Sequence, residues 1–149
     1  MNMKKVIGLI VALFIIILAL SLGQSNSFDF SDNSKTITNS TVVEDGQYCD
    51  KENVSIYIKQ FHKLPSNYIT KSEAQDLGWQ GGPLKKYAPG KSIGGDVFTN
   101  RQHILPEGSY IECDIDANGT SRGAKRLVYS TTNYKTYYTE DHYNSFTEI

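Results

Sequence analysis

The stretch YIECDI, residues Tyr110–Ile115, alternates apolar and polar side chains and decides the fold class. A period of two predicts a half-buried β-strand, because successive side chains of a strand point to opposite faces of the sheet. One face would pack on the core and the other would be wet. One face carries Ile111, Cys113 and Ile115, and the other carries Tyr110, Glu112 and Asp114.

The segments around this strand predict an α+β domain. Further strands are expected at Arg126–Ser130 and Tyr134–Tyr138, with the turn residues Asn118-Gly119 before them. Tyr87–Gly95 is rich in loop-forming residues. Because helical segments precede the strands, we predict N-terminal helices packed on one face of an antiparallel β-sheet, with the active site on the opposite face.

The first helix is predicted from its cap and its apolar stripe. Asp50 can cap it, and Pro65 ends the segment. His62 lies near its C-terminal end, where a cation complements the helix dipole, so we interpret His62 as structural. The stripe, with spacing i, i+3, i+4, i+7, consists of Val54, Tyr57, Ile58 and Phe61.

The second helix is predicted from the capping box Thr70-Lys71-Ser72-Glu73. It would begin at Lys71 and stop at Gly78, a residue type common just after helix ends. A lysine in the first turn is disfavoured by the helix dipole, but free N–H groups there attract anions. Lys71 is therefore either a surface lysine or part of an anion site.

The N-terminal residues predict an extracytoplasmic protein. Residues 1–23 combine a short basic start with an apolar run that ends in Ser21-Leu22-Gly23, which is typical of a signal peptide. The alternative is an uncleaved membrane anchor with the domain outside. Residues 24–45 are rich in Ser, Asn, Thr and Asp and predict a disordered linker or pro-segment, so the folded domain would span residues 46–149.

Charge and cysteine content exclude some functions. Without residues 1–23, the chain has 13 basic and 16 acidic side chains, a net charge of about −3. A strongly basic nucleic-acid-binding surface is therefore absent, and any such site must be a local cationic patch. Cys49 and Cys113 form no metal-binding pattern, and we expect no metal and no cofactor. In an oxidising compartment they suggest a disulfide, the alternative being two buried thiols.

Charged residues of the second half converge on the wet face of the predicted sheet. Glu112 and Asp114 lie there, Arg122 and Arg126 can reach the same face, and His142 follows the last predicted strand. A surface network of salt bridges is one interpretation. The other is phosphoryl transfer, in which a base and an acid move protons and cations stabilise charge on the phosphate oxygens.

Three stretches carry a resemblance to a known family. They are HKLPSNYITKSEA at 62–74, APGKSIGGDVFTNR at 88–101 and DHYNSFT at 141–147. In order and content they resemble the barnase family of secreted microbial ribonucleases. The resemblance covers about residues 47–149. It implies a metal-independent endoribonuclease that cleaves single-stranded RNA through its own 2′-hydroxyl, forming a 2′,3′-cyclic phosphate that is then hydrolysed.

The resemblance implies catalytic roles for five residues. Glu112 falls on the family's general base and His142 on its general acid. The positions of the cationic groups around the scissile phosphate are Lys71, Arg122 and Arg126.

The resemblance also implies how substrate is bound. Asp114 matches the aspartate that holds the two arginines, and Tyr143 matches a tyrosine that lines the substrate site. The base-recognition loop corresponds to Phe98, Thr99, Asn100, Arg101 and Gln102. The family has a glutamate where this chain has Gln102, whose amide is uncharged and accepts through one oxygen only. We therefore expect a guanine or purine preference weaker than the family's. The family pattern also lacks the cysteine pair.

Three functions remain open. The first is a secreted, monomeric endoribonuclease with RNA as substrate, for which the family implies an intracellular inhibitor protein as partner. The second is a catalytically weak RNA-binding or interaction module on the same fold, tethered to the membrane. The third is a membrane-tethered adhesion or envelope protein whose sheet face is merely charged. The presence of both Glu112 and His142 favours the first.

Overall fold

The structure, a computed structural model, describes residues 41–149. The predicted signal peptide and residues 24–40 of the predicted linker lie outside the described residues. The elements in chain order are α1 (Lys51–Phe61), β1 (Tyr68–Ile69), α2 (Lys71–Asp76), β2 (Ser92–Phe98), β3 (Tyr110–Asp114), β4 (Arg126–Ser130), β5 (Thr136–Thr139) and β6 (Thr147–Glu148).

The six strands form one sheet in the order β1-β2-β3-β4-β5-β6. The α+β class is confirmed, but the prediction of an antiparallel sheet was wrong in part, because β1 pairs with β2 in parallel. The remaining pairs are antiparallel. Since α2 lies between β1 and β2, the chain crosses over and returns in the same direction, as parallel pairing requires.

Strand β2 replaces part of the loop expected at Tyr87–Gly95. The sequence pattern of this strand was not recognised, because Gly94 and Gly95 lower the strand propensity of the segment. In the structure the register of the β2–β3 pair shifts between Gly94 and Asp96. A β-carbon on Gly94 would lie 2.6 Å from Cβ of Cys113 and from Cδ1 of Tyr68. Only glycine therefore lets β2 approach β3 and β1 this closely.

Both helices begin where the sequence predicts. The Asp50 side chain accepts a hydrogen bond from the Asn53 backbone N–H, which caps α1. Helix α1 ends at Phe61, and His62 follows in the left-handed conformation, its ring stacked on Tyr134 at 3.9 Å. Helix α2 ends at Asp76, two residues before the predicted stop.

Alternate strand residues belong to different hydrophobic clusters. Cys113 and Leu127 pack with Val54 and Ile58 of α1. Val128 follows Leu127 on β4, so its side chain points to the other face, where it packs with Tyr110 and Tyr137. The second cluster also contacts Phe98, Tyr143 and Phe146. The period of two read from Tyr110–Ile115 thus separates the two faces of the sheet.

Contacts with the domain begin before the predicted boundary at Gly46. Val42 is buried, although it belongs to the predicted linker. The Glu44 carbonyl accepts a hydrogen bond from the Tyr57 hydroxyl, and its carboxylate pairs with Lys63. The folded part therefore includes at least residues 42–45, which the sequence analysis grouped with the polar residues that precede them.

Both cysteines are free thiols in the structure. Cys113 is fully buried, and burial raises the pKa of its thiol. Cys49 is half-buried, and its carbonyl accepts a hydrogen bond from the Asp116 N–H. The Cys49–Cys113 disulfide stays a prediction. Between residues 41 and 149, no helix is long and apolar enough to cross a membrane.

Candidate active site

Glu112 lies at the centre of the charged face of the sheet. It is on β3, opposite Asp96 of β2, and its side chain is 14% exposed. Its Oε1 accepts a hydrogen bond from Nζ of Lys71 at 3.2 Å, and its Oε2 accepts one from the Tyr143 hydroxyl at 2.8 Å. The carboxylate is thus held in one orientation by donors on two sides.

The start of helix α2 positions Lys71. Thr70 and Glu73 form the predicted capping box, with the Thr70 N–H donating to Glu73 and the Glu73 N–H to Thr70. The Lys71 N–H is satisfied by Oδ2 of Asp96 at 3.0 Å. This N–H, which has no partner within the helix, therefore donates to a carboxylate of β2. The side chain of Lys71, and not its backbone, contacts Glu112.

Asp114 binds both arginines of the site. It is almost fully buried on β3, and its two oxygens accept from Nε and Nη2 of Arg122 at 2.7 and 3.0 Å. Arg126 lies directly across the β3–β4 ladder, with Nε 3.0 Å from Oδ1 of Asp114. That Arg126 N–H is not aligned for a hydrogen bond, so the contact is an ion pair.

The arginines are also fixed by other groups. Nη1 of Arg126 donates to three backbone carbonyls, of Arg122, Gly123 and Lys125. The Arg122 guanidinium lies 5.6 Å from the centre of the Trp79 ring. Its hydrogen bonds to Asp114 raise the pKa of Arg122, so its positive charge is secure at any working pH.

His142 and Tyr143 lie in the loop after β5, and both have a left-handed backbone, with φ of 56° and 72°. Consecutive non-glycine residues in this region carry strain. The loop is held by Asp141, which accepts from the Thr139 hydroxyl at 2.8 Å and from the N–H and hydroxyl of Ser145. These bonds lower the pKa of Asp141 to about 2.

The predicted base-recognition loop encloses a cavity with the His142 loop. The cavity has a volume of about 210 Å³, and we call it the loop pocket. Phe98 stacks on Tyr143 at 5.1 Å and meets Phe146 edge-on, which joins the two loops. The pocket is lined by Phe98, Thr99, Asn100, Arg101, Gln102, Ile104, His142, Tyr143, Asn144 and Phe146.

Asn100 shapes this loop from inside. It is buried with φ of 48°, and its side chain donates to the carbonyl and accepts from the N–H of Leu105. Its amide is thus committed to the turn and leaves only backbone groups for a ligand. Arg101 and Gln102 are exposed at the rim.

The structure brings most of the predicted site together. Hydrogen bonds connect Glu112 with Lys71 and Tyr143, and ion pairs connect Asp114 with Arg122 and Arg126. His142 joins through the loop pocket. Within the described residues, no group of three or more His, Cys, Asp or Glu could hold a metal ion.

Two carboxylates that hold parts of the candidate site in place escaped the sequence analysis. Asp96 was missed because β2 was not predicted, so nothing placed it opposite Glu112. Asp141 lies in the third of the motifs that resemble the family, but no role was predicted for it. An aspartate four residues before a serine can nevertheless cap a turn.

The chain is similar to known proteins over most of its described residues. A family model described as ribonuclease matches residues 51–149. The chain belongs to the ribonuclease family. The resemblance of its motifs to barnase-type microbial ribonucleases is thereby confirmed, since all three motifs fall within the matched range.

Individual ribonucleases are similar over the same region. The ribonuclease of Bacillus intermedius is 48% identical over 103 residues, which are 66% of this chain and 63% of that protein. The ribonuclease of Heyndrickxia coagulans is 48% identical over 103 residues, 66% of this chain and 94% of the relative. Guanyl-specific ribonuclease St of Saccharopolyspora erythraea is 46% identical over 56 residues, 35% of this chain and 54% of the relative.

Proposed function

We propose that this protein is an endoribonuclease that cleaves single-stranded RNA through the RNA's own 2′-hydroxyl. The observation that carries the proposal is the Glu112 carboxylate, held between Lys71 and Tyr143 beside two arginines bound to Asp114. The reaction face is the side of the sheet opposite α1, because Glu112 alternates along β3 with Cys113, which packs against α1.

Glu112 acts as the general base. Its carboxylate accepts the proton of the 2′-hydroxyl while that oxygen attacks the adjacent phosphorus and forms the 2′,3′-cyclic phosphate. Two donors fix its orientation, so little freedom is lost when the substrate binds. In the second half of the reaction the protonated Glu112 gives its proton to the departing 2′-oxygen, and water hydrolyses the cyclic ester.

The cations stabilise charge that develops on the equatorial phosphate oxygens. Lys71 lies beside Glu112. Asp114 holds Arg122 and Arg126 in a fixed arrangement, and both guanidinium groups keep their positive charge. Such preorganised donors need no rearrangement during the reaction. Three side-chain cations thus supply the electrophilic stabilisation within a chain whose net charge is −1.

His142 acts as the general acid. It is exposed at the edge of the loop pocket and next to Tyr143, which contacts the base. Its imidazolium protonates the leaving 5′-oxygen, and the neutral imidazole then takes a proton from the attacking water.

The loop pocket binds the base of the nucleotide whose 2′-hydroxyl attacks. Phe98 and Tyr143 offer aromatic surfaces, and backbone groups of Thr99–Arg101 offer donors to a purine edge. A relative carries the name guanyl-specific ribonuclease, which supports guanine as the preferred base. Gln102 makes the preference weaker than a carboxylate at that position would.

We further propose that the enzyme works outside the cytoplasm as a monomer, with RNA as its substrate. The basic and apolar residues 1–23 support export. A ribonuclease made in the cytoplasm endangers its own cell's RNA, and this supports an intracellular inhibitor protein as partner.

The test is to incubate the purified protein with a defined single-stranded RNA in the presence of EDTA and to identify the products by mass spectrometry. We expect cleavage with 2′,3′-cyclic phosphate termini that convert slowly to 3′-phosphates. An RNA carrying 2′-O-methyl groups should resist cleavage. Loss of activity in EDTA, or cleavage of the 2′-O-methyl RNA, would contradict the proposed chemistry, and RNA binding without cleavage would favour a binding module.

A further inference from the structure

Three lysines lie in the connection between α2 and β2, and none of them belongs to the proposed catalytic set. We call them the lysine patch, and they are Lys85, Lys86 and Lys91. Residues 77–95 contain these three cations and no acidic side chain. None of the three lines the loop pocket, and the first two lie outside all three stretches that resemble the barnase family. The patch therefore needs an explanation of its own.

The lysine patch has no acidic partner. Other exposed lysines of the protein pair with a carboxylate, as Lys51, Lys63, Lys125 and Lys135 do at distances of 2.8–3.7 Å. Within residues 41–149, no carboxylate oxygen lies within 4.0 Å of a patch ammonium group. The three charges are thus uncompensated at close range, and such a cluster attracts an anionic polymer.

The segment that carries the patch is held in place from inside. Leu84 and Ala88 are buried, and the Ala88 N–H donates to the Leu84 carbonyl. The first two lysines of the patch lie between these residues and are exposed. Nζ of Lys91 donates to the Ser66 carbonyl at 3.0 Å, which leaves two of its N–H groups for a ligand. Because the backbone is already ordered, little conformational entropy is lost when a ligand binds.

The patch borders the loop that carries Arg122. The Lys85 backbone N–H donates to the Gly119 carbonyl at 2.9 Å, and a β-carbon on Gly119 would lie 3.5 Å from the Lys91 carbonyl oxygen. Gly119 precedes Arg122 by three residues, so their Cα atoms lie within about 11 Å of each other. The patch is therefore a neighbour of the cations of the proposed site, but it is not part of that site.

Strand β3 sets the order of these features across the sheet. Its first residue, Tyr110, pairs with Phe98 of the loop pocket, Glu112 follows, and its last residue, Asp114, binds Arg122. At about 3.3 Å per residue, the two ends of the strand are roughly 13 Å apart. The attacking nucleotide occupies the loop pocket and its 3′-phosphate lies at Glu112. An RNA strand that continues in the 3′ direction therefore runs towards Arg122 and the lysine patch.

We propose that the lysine patch binds phosphates of the RNA strand on the 3′ side, beyond the nucleotides that flank the reacting phosphate. This inference rests on the proposed ribonuclease function. Lysine binds phosphate as a point charge and does not read the base. Such binding releases counterions from the RNA and is weakened by salt. The patch thus makes long RNA a better substrate than a short oligonucleotide with the same cleavable bond.

The test compares three substrates by kcat/KM at low salt. The dinucleotide GpU is extended at its 3′ end by one uridine, at its 3′ end by about eight uridines, or at its 5′ end by the same long tail, a usual length for a single-strand binding groove. Every uridine carries a 2′-O-methyl group, so only the guanosine can attack. We expect the long 3′ tail to raise kcat/KM about tenfold over the short one, through two or three phosphate contacts.

The variant Lys85→Gln/Lys86→Gln should lose most of this gain and still cleave the short substrate at the wild-type rate. Lys85→Arg/Lys86→Arg should keep the gain. The matched control is Lys63→Gln/Lys135→Gln, which removes two exposed lysines elsewhere, changes the net charge equally and should also keep the gain. The inference is overturned if the first variant keeps the gain, if the control loses as much, or if the loss falls on the substrate with the 5′ tail.

A binding measurement separates this inference from the proposed function. The same oligonucleotides with deoxyguanosine cannot be cleaved, and their Kd can be measured by fluorescence polarisation at several salt concentrations. The slope of log Kd against log salt is about 0.7 per phosphate contact, so Lys85→Gln/Lys86→Gln should reduce it by about 1.4 for the long 3′ tail. If the protein cleaves nothing but shows this reduction, only the catalytic proposal fails. An unchanged slope in a protein that cleaves GpU would refute the lysine patch alone.

Discussion

The Tyr143 hydroxyl donates a 2.8 Å hydrogen bond to Oε2 of Glu112. Burial, and then the negative charge of Glu112, raise the pKa of the Tyr143 phenol, so it remains a proton donor throughout the neutral range. A tyrosine that lines the loop pocket is thereby bonded to the proposed general base, so the proposed nucleobase site and the proposed proton transfer share one residue.

Tyr143→Phe should lower kcat/KM by roughly tenfold to a hundredfold, since a hydrogen bond to a charged group contributes about 1.5–3 kcal/mol. The ring that stacks on Phe98 is retained, so KM for GpU should change less than kcat. Tyr134→Phe, beside His62, is the matched control and should leave both constants unchanged. A Tyr143→Phe enzyme as active as wild type would show that this bond does not support catalysis.

Glu112→Gln and His142→Ala should each lower kcat by about 10² to 10⁴, the usual contribution of a general base or acid. Circular dichroism and thermal unfolding check that the fold is intact. Glu107→Gln, an exposed glutamate in the β2–β3 connection, serves as control and should be fully active. Losses below tenfold in both variants would remove the assignment.

Gln102→Glu should sharpen cleavage after guanine. A carboxylate can accept from both N1–H and the amino group of guanine, whereas the amide turns one acceptor into a donor. The expected gain of GpU over ApU is about 1–3 kcal/mol, or roughly five- to 150-fold. If the wild type already cuts only after guanine and the variant does the same, another group reads the base.

Asp141→Ala should destabilise the protein in a pH-dependent way. The pKa of Asp141 is lowered to about 2 from an ordinary value of 3.8, so its carboxylate form is favoured in the folded state. That contribution is fully present above about pH 4 and is lost as the pH falls towards 2. The Tm difference between wild type and variant should therefore be present at pH 6 and shrink near pH 2. Asp45→Ala, at an exposed position, should show no such trend.

A Cys49–Cys113 disulfide would close a loop of about 65 residues, for which chain entropy gives at most about 4 kcal/mol of stabilisation. Mass spectrometry of the exported protein should show two hydrogens fewer than the dithiol form, and reduction should lower the Tm. Because native Cys113 is buried, alkylation must be tried on unfolded, unreduced protein. Two alkylated thiols there would disprove the bond.

Local patterns in the sequence predict well those elements whose signals are local. The Asp50 cap and the Thr70–Glu73 capping box each depend on residues a few positions apart, and both are present in the structure. The alternation on β3 does separate two faces of the sheet, but the face expected to be wet also buries Asp114. The family was predicted from the resemblance of the three motifs, because the predicted positions of the charged residues alone do not identify a family.

Features that depend on distant contacts were missed. The pairing of β1 with β2 follows from the crossover through α2, and β2 is hidden by Gly94, whose absent side chain makes room for Cys113 and Tyr68. Residues 42–45 look like linker because their partners, Tyr57 and Lys63, lie more than ten positions away. Asp96 shares this cause, since its role depends on its position across the ladder from Glu112.

The left-handed backbone at both His142 and Tyr143 has a consequence for protein engineering. Glycine or asparagine adopts that conformation more easily than either residue, by about 1 kcal/mol per position. A laboratory selection for heat resistance alone should therefore enrich such replacements at 142 and 143 and yield robust but inactive clones. Selection for stability and selection for catalytic turnover would therefore diverge most at two positions that are adjacent in the chain.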